Sequence, residues 1–568
     1  MRQVPITPSR QSSSLLKGVF SKQGWLGGVN AWQLGVGAIA LLIASPVLVV
    51  LTGLFTPARE IWQHLAETVL SRYIFNSLAL LFGVGVGVVG IGVSTAWLVT
   101  TCQFPYRRWL EWALLLPLAA PAYILAFVYT EFLEYYGPVQ TGLRTLFGWQ
   151  SINAYWFPDI RSLGGAIALL TLVLYPYVYL LTRVAFLEQS TRTLEASRIL
   201  GCSPWQSFWR VALPLARPAI AAGTALALME TLSDFGTVQY FGVDTFTTGI
   251  YRTWFGMGER IAATQLAALL LLFVLALILV EQWFRRHGRY YQTRNRSVLS
   301  RYHLRGWRRW SALLVCLIPI TLGFLLPALL LLIDGFRHLD RITDRQLWEY
   351  ARNSLVLASL GAILAGAIAL FLAYGLRLHP SRPMQFSVRL AAMGYAVPGS
   401  VIAVGILVPL GRFDNTLDAW MRSTFDISTG LLLSGTIFAL LFAYLVRFLA
   451  VAFNSVEASL NRIKPSLDDA ARSLGHSPAS TLRQVHFPLM GSGLITALLL
   501  VFVDVMKELP ATLLIRPFNF DTLAIRAYQL ASDERLAEAA LPALAVVLAG
   551  IVPVILLSRQ IQKTDSAT

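Results

Sequence analysis

Long apolar runs dominate the chain, each broken by a short polar or basic stretch, and the runs are about 20 residues or more in length, enough to cross a hydrocarbon core of about 30 Å as a helix. Six of them, near 33–56, 74–100, 110–133, 163–187, 217–237 and 262–284, are followed by six more, near 311–333, 353–376, 388–410, 429–452, 491–515 and 537–558. The pattern predicts an all-α integral membrane protein of about twelve transmembrane helices. It divides into a cytoplasmic N-terminal segment 1–32, a six-span unit 33–284, a linker 285–310, a second six-span unit 311–559 and a tail 560–568.

Composition agrees with that pattern. Hydrophobic residues make up 56 % of the 568 and charged residues 13 %, against roughly 25 % charged in a soluble domain. The formal net charge of +16 would suit nucleic acid if it were gathered on a folded surface, but it lies between the apolar runs. Lys17, Lys22, Arg107, Arg108, Arg183, Arg192 and Arg198 precede or fill alternate loops, and the linker carries Arg285, Arg286, Arg289, Arg294, Arg296, Arg301, Arg305, Arg308 and Arg309 with no acid among them. Other loops balance their charge, as Arg59, Glu60, Glu67 and Arg72 do. Positive loops stay cytoplasmic, which predicts both termini and the linker inside and a linker that rests beside anionic lipid rather than nucleic acid. The first apolar run is long enough to remain in the bilayer, so no cleaved signal is expected. Cys102, Cys202 and Cys316 have no metal-ligand spacing and suggest no external disulfide.

A search for internal repeats finds one segment twice. Glu195 to Leu215 reads EASRILGCSPWQSFWRVALPL and Asp469 to Leu489 reads DAARSLGHSPASTLRQVHFPL, with nine of 21 positions identical and no gap. Asn76-Ser77-Leu78 and Asn353-Ser354-Leu355 match at the start of the second span of each half, and Pro121 matches Pro398 in the third. Because six spans separate the copies, the halves enter the membrane in the same sense, as parallel repeats do. Within each copy a short helix, near 193–200 or 467–474, should stop at Gly201 or Gly475, since glycine tolerates the left-handed C-terminal cap. Ser203-Pro204 and Ser477-Pro478 should start the next helix, serine as its cap and proline in its first position. A connector lying on the headgroups would explain the apolar Trp205, Phe208 and Trp209. It would not call for the same glycine at the same spacing twice, which favours a rigid knob for a soluble partner.

These two segments resemble the E-A-A loop, with glycine six residues after the glutamate, of binding-protein-dependent ABC importer permeases. The resemblance covers almost the whole chain as two fused permease domains, with coupling loops at 190–217 and 456–490. It implies that Glu195, Ala196, Gly201, Ser203 and Pro204, with Asp469, Ala470, Ala471, Gly475, Ser477 and Pro478, contact two copies of a cytoplasmic ABC ATPase. The copies depart from the family pattern at Ser197, at Asp469 in place of glutamate and at Phe487. The chain has no phosphate-binding G-x-x-x-x-G-K-[ST] loop: only Lys563 precedes Ser or Thr, and no glycines lead into it. The chain is therefore expected to be no enzyme and to hold no cofactor, with ATP and Mg used by the partner.

Charged residues close the fifth span of each half: Glu230 and Asp234, then Asp504, Lys507 and Glu508. A charge at bilayer depth costs about 2.5–3.5 kcal/mol on insertion scales and normally faces a partner or a water-filled path. Glu230, Asp234, Asp504 and Glu508 are thus candidate pathway residues, with Asp234 and Glu508 expected as a pair across the axis; charges near the outer interface that pair locally are the alternative. The stretches DVMKELPATLLIRPFNFDTLA and FGVDTFTTGIYRTWF resemble the ferric-iron branch of the family, which implies a ferric-iron cargo handed over by a periplasmic binding protein at a bacterial inner membrane. No tight metal site is expected. Permeases for thiamine, polyamines or phosphonates share the architecture, and an ion-driven secondary transporter would share the span count.

Overall fold

The computed structural model describes residues 31–566 apart from 58, 189–196, 198, 287–300 and 339–342. Among them ten helices are long and apolar enough to cross a membrane, or up to twelve if each of two bent pairs is one span. Six lie within a few residues of the predicted spans: Trp32–Gly53, Leu70–Thr101, Leu163–Leu187, Arg260–Phe284, Trp307–Arg337 and Leu536–Leu556, while Arg345–Leu378 starts eight residues before the predicted 353–376 and Ile437–Asn461 lies eight to nine residues beyond the predicted 429–452.

The other exceptions have local causes. The third span of the first half, predicted as one helix over 110–133, turns by 91° between Arg107–Ala119 and Ala122–Phe147. A proline's ring disfavours the helical region for the residue before it, and Ala120 before Pro121 is extended, at φ −103° and ψ 122°. The same device recurs at Val397 (φ −84°, ψ 125°) before Pro398. The ninth span therefore runs over Gly399–Phe425, not 388–410, and Arg382–Ala391 is a separate short helix. The eleventh, predicted over 491–515, ends at Lys507, and Pro510–Ile515 is a new short helix.

Inside each half the second, fourth and fifth spans pack together: Leu70–Thr101, Leu163–Glu188 and Leu213–Ser233 in one, Arg345–Leu378, Ile437–Asn461 and Gly491–Lys507 in the other. Small residues let these helices close up; a methyl on Gly223 would meet Val178 Cα at 2.8 Å. The first span of each half crosses to the other half. Ala31–Gly53 lies along Arg382–Ala391 and Gly399–Phe425, and its Trp32 stacks at 4.7 Å on Phe371 of Arg345–Leu378. Reciprocally, the seventh span reaches the first half, where a methyl on Gly323 would meet Leu172 O at 2.7 Å. The described end of the linker is also anchored: Tyr302–His303 forms a short parallel ladder with Cys102–Gln103, and Arg301 Nε donates to Thr100 O at 3.3 Å.

Two arginines read as loop charges are internal. Arg183 lies within the fourth span and pairs with Glu111, which Arg107 approaches at 3.6 Å. Arg107 also donates to Val99 O at 2.8 Å, and all three side chains are buried. They form a buried ion network.

Candidate translocation pathway and coupling turns

The repeated segment forms the turn that its sequence predicts. Gly201 and Gly475 both take φ +81°, the left-handed conformation that glycine occupies without steric cost. Cys202 N donates to Ser197 O at 2.9 Å and His476 N to Ala471 O at 3.0 Å, the long bond that closes a helix in a Schellman motif. Ser203 accepts from Gln206 N at 3.2 Å and returns its own N–H to Gln206 Oε1 at 3.0 Å, a capping box, while Ser477 accepts from Ser480 N at 3.3 Å. Pro204 and Pro478 each open the following helix. Beyond them lies a π-turn in each copy, Phe208–Ala212 and Leu482–His486. Each precedes a proline, Pro214 or Pro488, that has no N–H to continue an α-helical ladder. In the first half the helix then runs on without a break from Pro204 to Ser233, whereas the second bends by 79° between Pro478–Leu489 and Gly491–Lys507.

Glu195 and Ala196 lie outside the described residues. In the second copy Asp469 and Ala470 are exposed on the helix Pro465–Ser473, Asp469 paired with Arg472 at 3.0 Å, and Ala471 faces inward. The tips carry exposed apolar side chains, Leu200 at 82 % and Leu474 at 77 %, with Trp205 and Trp209 beside the first.

The two turns are rooted differently. Under the first, Trp97 of the second span packs on Phe208 at 5.0 Å and Phe186 at 5.4 Å. Under the second, the equivalent Tyr374 donates to Pro478 O at 2.6 Å and lies edge-on to His486, whose Nε2 is 2.6 Å from Asp468; Arg377 donates to the same carboxylate at 2.9 Å. Cys102, near the first root, is buried, and burial pushes its thiol up from the ordinary value, so it is a poor thiolate.

At the other end of both fifth spans the helix breaks at equivalent residues. Asp234 (φ −64°, ψ 132°) and Glu508 (φ −68°, ψ 120°) are extended, and short helices Gly236–Tyr240 and Pro510–Ile515 follow. Each carboxylate holds the start of the short helix beyond it. Asp234 accepts from Val238 N at 3.1 Å and Thr237 Oγ1 at 2.9 Å, and Glu508 accepts from Ala511 N at 3.0 Å. The loops beyond are pinned alike by the matching asparagines, Asn76 donating to Asp244 O at 2.8 Å and Asn353 to Asp521 O at 3.1 Å.

The expected Asp234–Glu508 pair is replaced by a different contact across the halves. Arg447, from the tenth span, sets Nε 3.4 Å from Glu508 and Nη2 3.8 Å from Glu230. Asp234 is taken up by its own short helix. Asp504, one turn before the break like Glu230, pairs with Lys507 at 3.8 Å, and Lys507 reaches across to Leu118 O at 3.3 Å, beside the proline break of the first half. Tyr177 and Tyr395 border Glu230 and Asp504. Gly399, opening the ninth span, makes room for this contact: a methyl there would lie 2.5 Å from Arg447 Nη1 and 2.7 Å from Glu508 Oε1. Sequence reading missed Arg447, although a lone arginine in the run AYLVRFLA is a visible signal. Among the described residues no group of three or more His, Cys, Asp or Glu side chains is placed to hold a metal ion.

A helical membrane core with two equivalent breaks facing each other, and two equivalent glycine turns at the opposite ends of the same spans, is the build of a transport permease. The chain belongs to the family of binding-protein-dependent transport system inner membrane components, which matches it twice, over residues 88–289 and 360–564. It is similar to the Fe(3+)-transport system permease protein FbpB 2 of Haemophilus influenzae, 28 % identical over 504 residues that cover 86 % of this chain and 90 % of that one. It is also similar to the putative ferric transport system permease protein FbpB 1 of the same organism, 24 % identical over 518 residues, 86 % of this chain and 78 % of the other. The molybdenum transport system permease protein ModB of Escherichia coli, 25 % identical over 229 residues, takes up 39 % of this chain and 94 % of its own length.

Proposed function

We propose that this chain is the whole membrane pore of an ATP-driven importer and that its cargo is ferric iron delivered by a periplasmic binding protein. The observation that carries the cargo reading is the set of carboxylates at the break. Glu230 and Asp504 hold the same position in the two halves, one turn from Asp234 and Glu508, with tyrosines beside them. Hard trivalent cations prefer carboxylate and phenolate oxygen, whereas an oxyanion such as sulfate or molybdate would be repelled there. Both relatives given above that match most of the chain are named as iron permeases. With no tight cage, the pathway would offer transient contacts, and the binding protein would perform the capture.

Two copies of a cytoplasmic ATPase would seat on the turns at Gly201 and Gly475, whose apolar tips are otherwise left to water. Glu195 and Ala196, with Asp469, Ala470 and Ala471, belong to the same contacts, and ATP and Mg are bound by the ATPase. On this reading the turns, the linker and both termini lie in the cytoplasm of a bacterium, and the breaks lie toward the outer side. ATP binding would draw the turns together and rock the halves about the central path.

The test is reconstitution in liposomes with the ATPase and the binding protein. Ferric-loaded binding protein should stimulate hydrolysis and drive radio-iron uptake. Stimulation by another solute alone would end the iron assignment. Uptake that persists without ATPase, or in the double variant Gly201→Pro/Gly475→Pro, would favour a carrier driven by an ion gradient.

A further inference from the structure

Arg447 is the feature that the pathway reading leaves without a task. Its guanidinium is permanently charged and its side chain is 7 % exposed, as is Glu508 at 5 %. Glu230 on its other side is 26 % exposed and Asp504 28 %. Glu230 and Asp504 are thus partly accessible, whereas the guanidinium and Glu508 are closed off.

Its two contacts are unequal. Glu508 meets it twice, Nε–Oε2 at 3.4 Å and Nη1–Oε1 at 3.5 Å, and is itself fixed by Ala511 N at 3.0 Å. Glu230 meets it once, at 3.8 Å, beyond hydrogen-bond distance. Glu508 and Arg447 belong to the second half and Glu230 to the first. The single, longer contact is thus the one between halves, and the paired, shorter one lies within a half.

We infer that Arg447 is a built-in counter-cation, a latch that rests on Glu230 across the path and is replaced there by the travelling cation. Carried on Glu508, the guanidinium neutralises Glu230 when no cargo is present, so the halves stay together without leaving an unpaired carboxylate. When the halves part, Glu230 is released and faces the path with Asp504, and a cation of higher charge takes the place that the guanidinium held. A neutral or anionic solute gains nothing from that exchange, so the latch also selects for charge. This inference rests on the pore reading above, but its first test does not depend on which cargo is carried.

The experiment uses the full complex of permease and ATPase in nanodiscs. Basal ATP hydrolysis is measured with no binding protein and no solute, for wild type, Arg447→Gln, Arg447→Lys and Glu230→Gln. Arg447→Gln and Glu230→Gln should each raise the basal rate about tenfold, the response to a tenfold shift toward the parted state; Arg447→Lys, which keeps the charge but has a single ammonium in place of the fork that meets both carboxylates, should raise it less than Arg447→Gln. If both neutral variants keep the wild-type basal rate, or if Arg447→Lys raises it at least as much as Arg447→Gln does, the latch is refuted. Should Arg447→Gln fail to assemble, Glu230→Gln decides alone, because it alters a partly open residue. A wrong cargo assignment would show separately, as wild-type complex that ferric-loaded binding protein does not stimulate.

Discussion

Replacing Gly475 tests the docking turn most directly. Its φ of +81° lies in the left-handed region, where a residue with a Cβ pays about 1–2 kcal/mol. An added methyl would meet nothing within 4 Å, so Gly475→Ala carries the backbone cost and no clash. Asparagine enters the same region more readily, so Gly475→Asn should cost less. Gly475→Pro is a different case. Proline fixes φ near −65° and removes the N–H that Gly475 donates to Arg472 O at 3.0 Å, so the turn must open. If the turn is the seat of the ATPase, strain of about 1–2 kcal/mol weakens association by a factor of about 5–30. Titration of the ATPase onto permease in nanodiscs should rank wild type, asparagine, alanine and proline in falling order of affinity. In a chain of 568 residues a cost of that size shifts the unfolding temperature little, so thermal unfolding of the permease alone should hardly move for the alanine variant. Proline binding the ATPase as well as wild type, or alanine binding better than asparagine, would refute the reasoning.

Two further outcomes follow from the interior. Glu111→Ala removes the carboxylate that the buried Arg107 and Arg183 share, and breaking a buried pair costs about 3–5 kcal/mol; thermal unfolding in nanodiscs should show a clear drop, while an exposed substitution such as Asp469→Ala should show almost none, its pair with Arg472 being a surface one. Gly399→Ala places a methyl against Arg447 and Glu508 and should raise basal hydrolysis in the same direction as Arg447→Gln, with normal expression; an unchanged rate would mean that the pair can shift freely.

Much of this structure is written in local sequence. The spans follow from run length, and the glycine turns from the capping chemistry of Gly201, Ser203, Gly475 and Ser477, which acts over a few residues. Even the breaks at Pro121 and Pro398 were visible as matched prolines, although run length alone carried the third spans straight through them. The long-range pairings were not legible. Nothing near Glu508 in sequence announces Arg447, some sixty residues away, and nothing near Glu111 announces Arg183. Asp234 and Glu508 align in the repeat, which suggested that they pair. The second half supplies an arginine where the first has Val173, so the symmetric reading gave way to an asymmetric contact. The crossing of the first spans had no local signal at all, because an apolar helix reads the same whichever neighbour it meets.

That crossing decides what moves. The helix Ala31–Gly53 is seated on the Arg382–Ala391 and Gly399–Phe425 side, and the seventh span on the other. The bodies that would tilt against each other are thus assembled from non-contiguous stretches of chain. A fluorophore at residue 40 would travel with residues near 400, and one at residue 320 with residues near 170. Distance probes assigned by order along the polypeptide would report a swing of the wrong sign for those two helices. Splitting the gene at the linker would leave two fragments, each holding the other's arm.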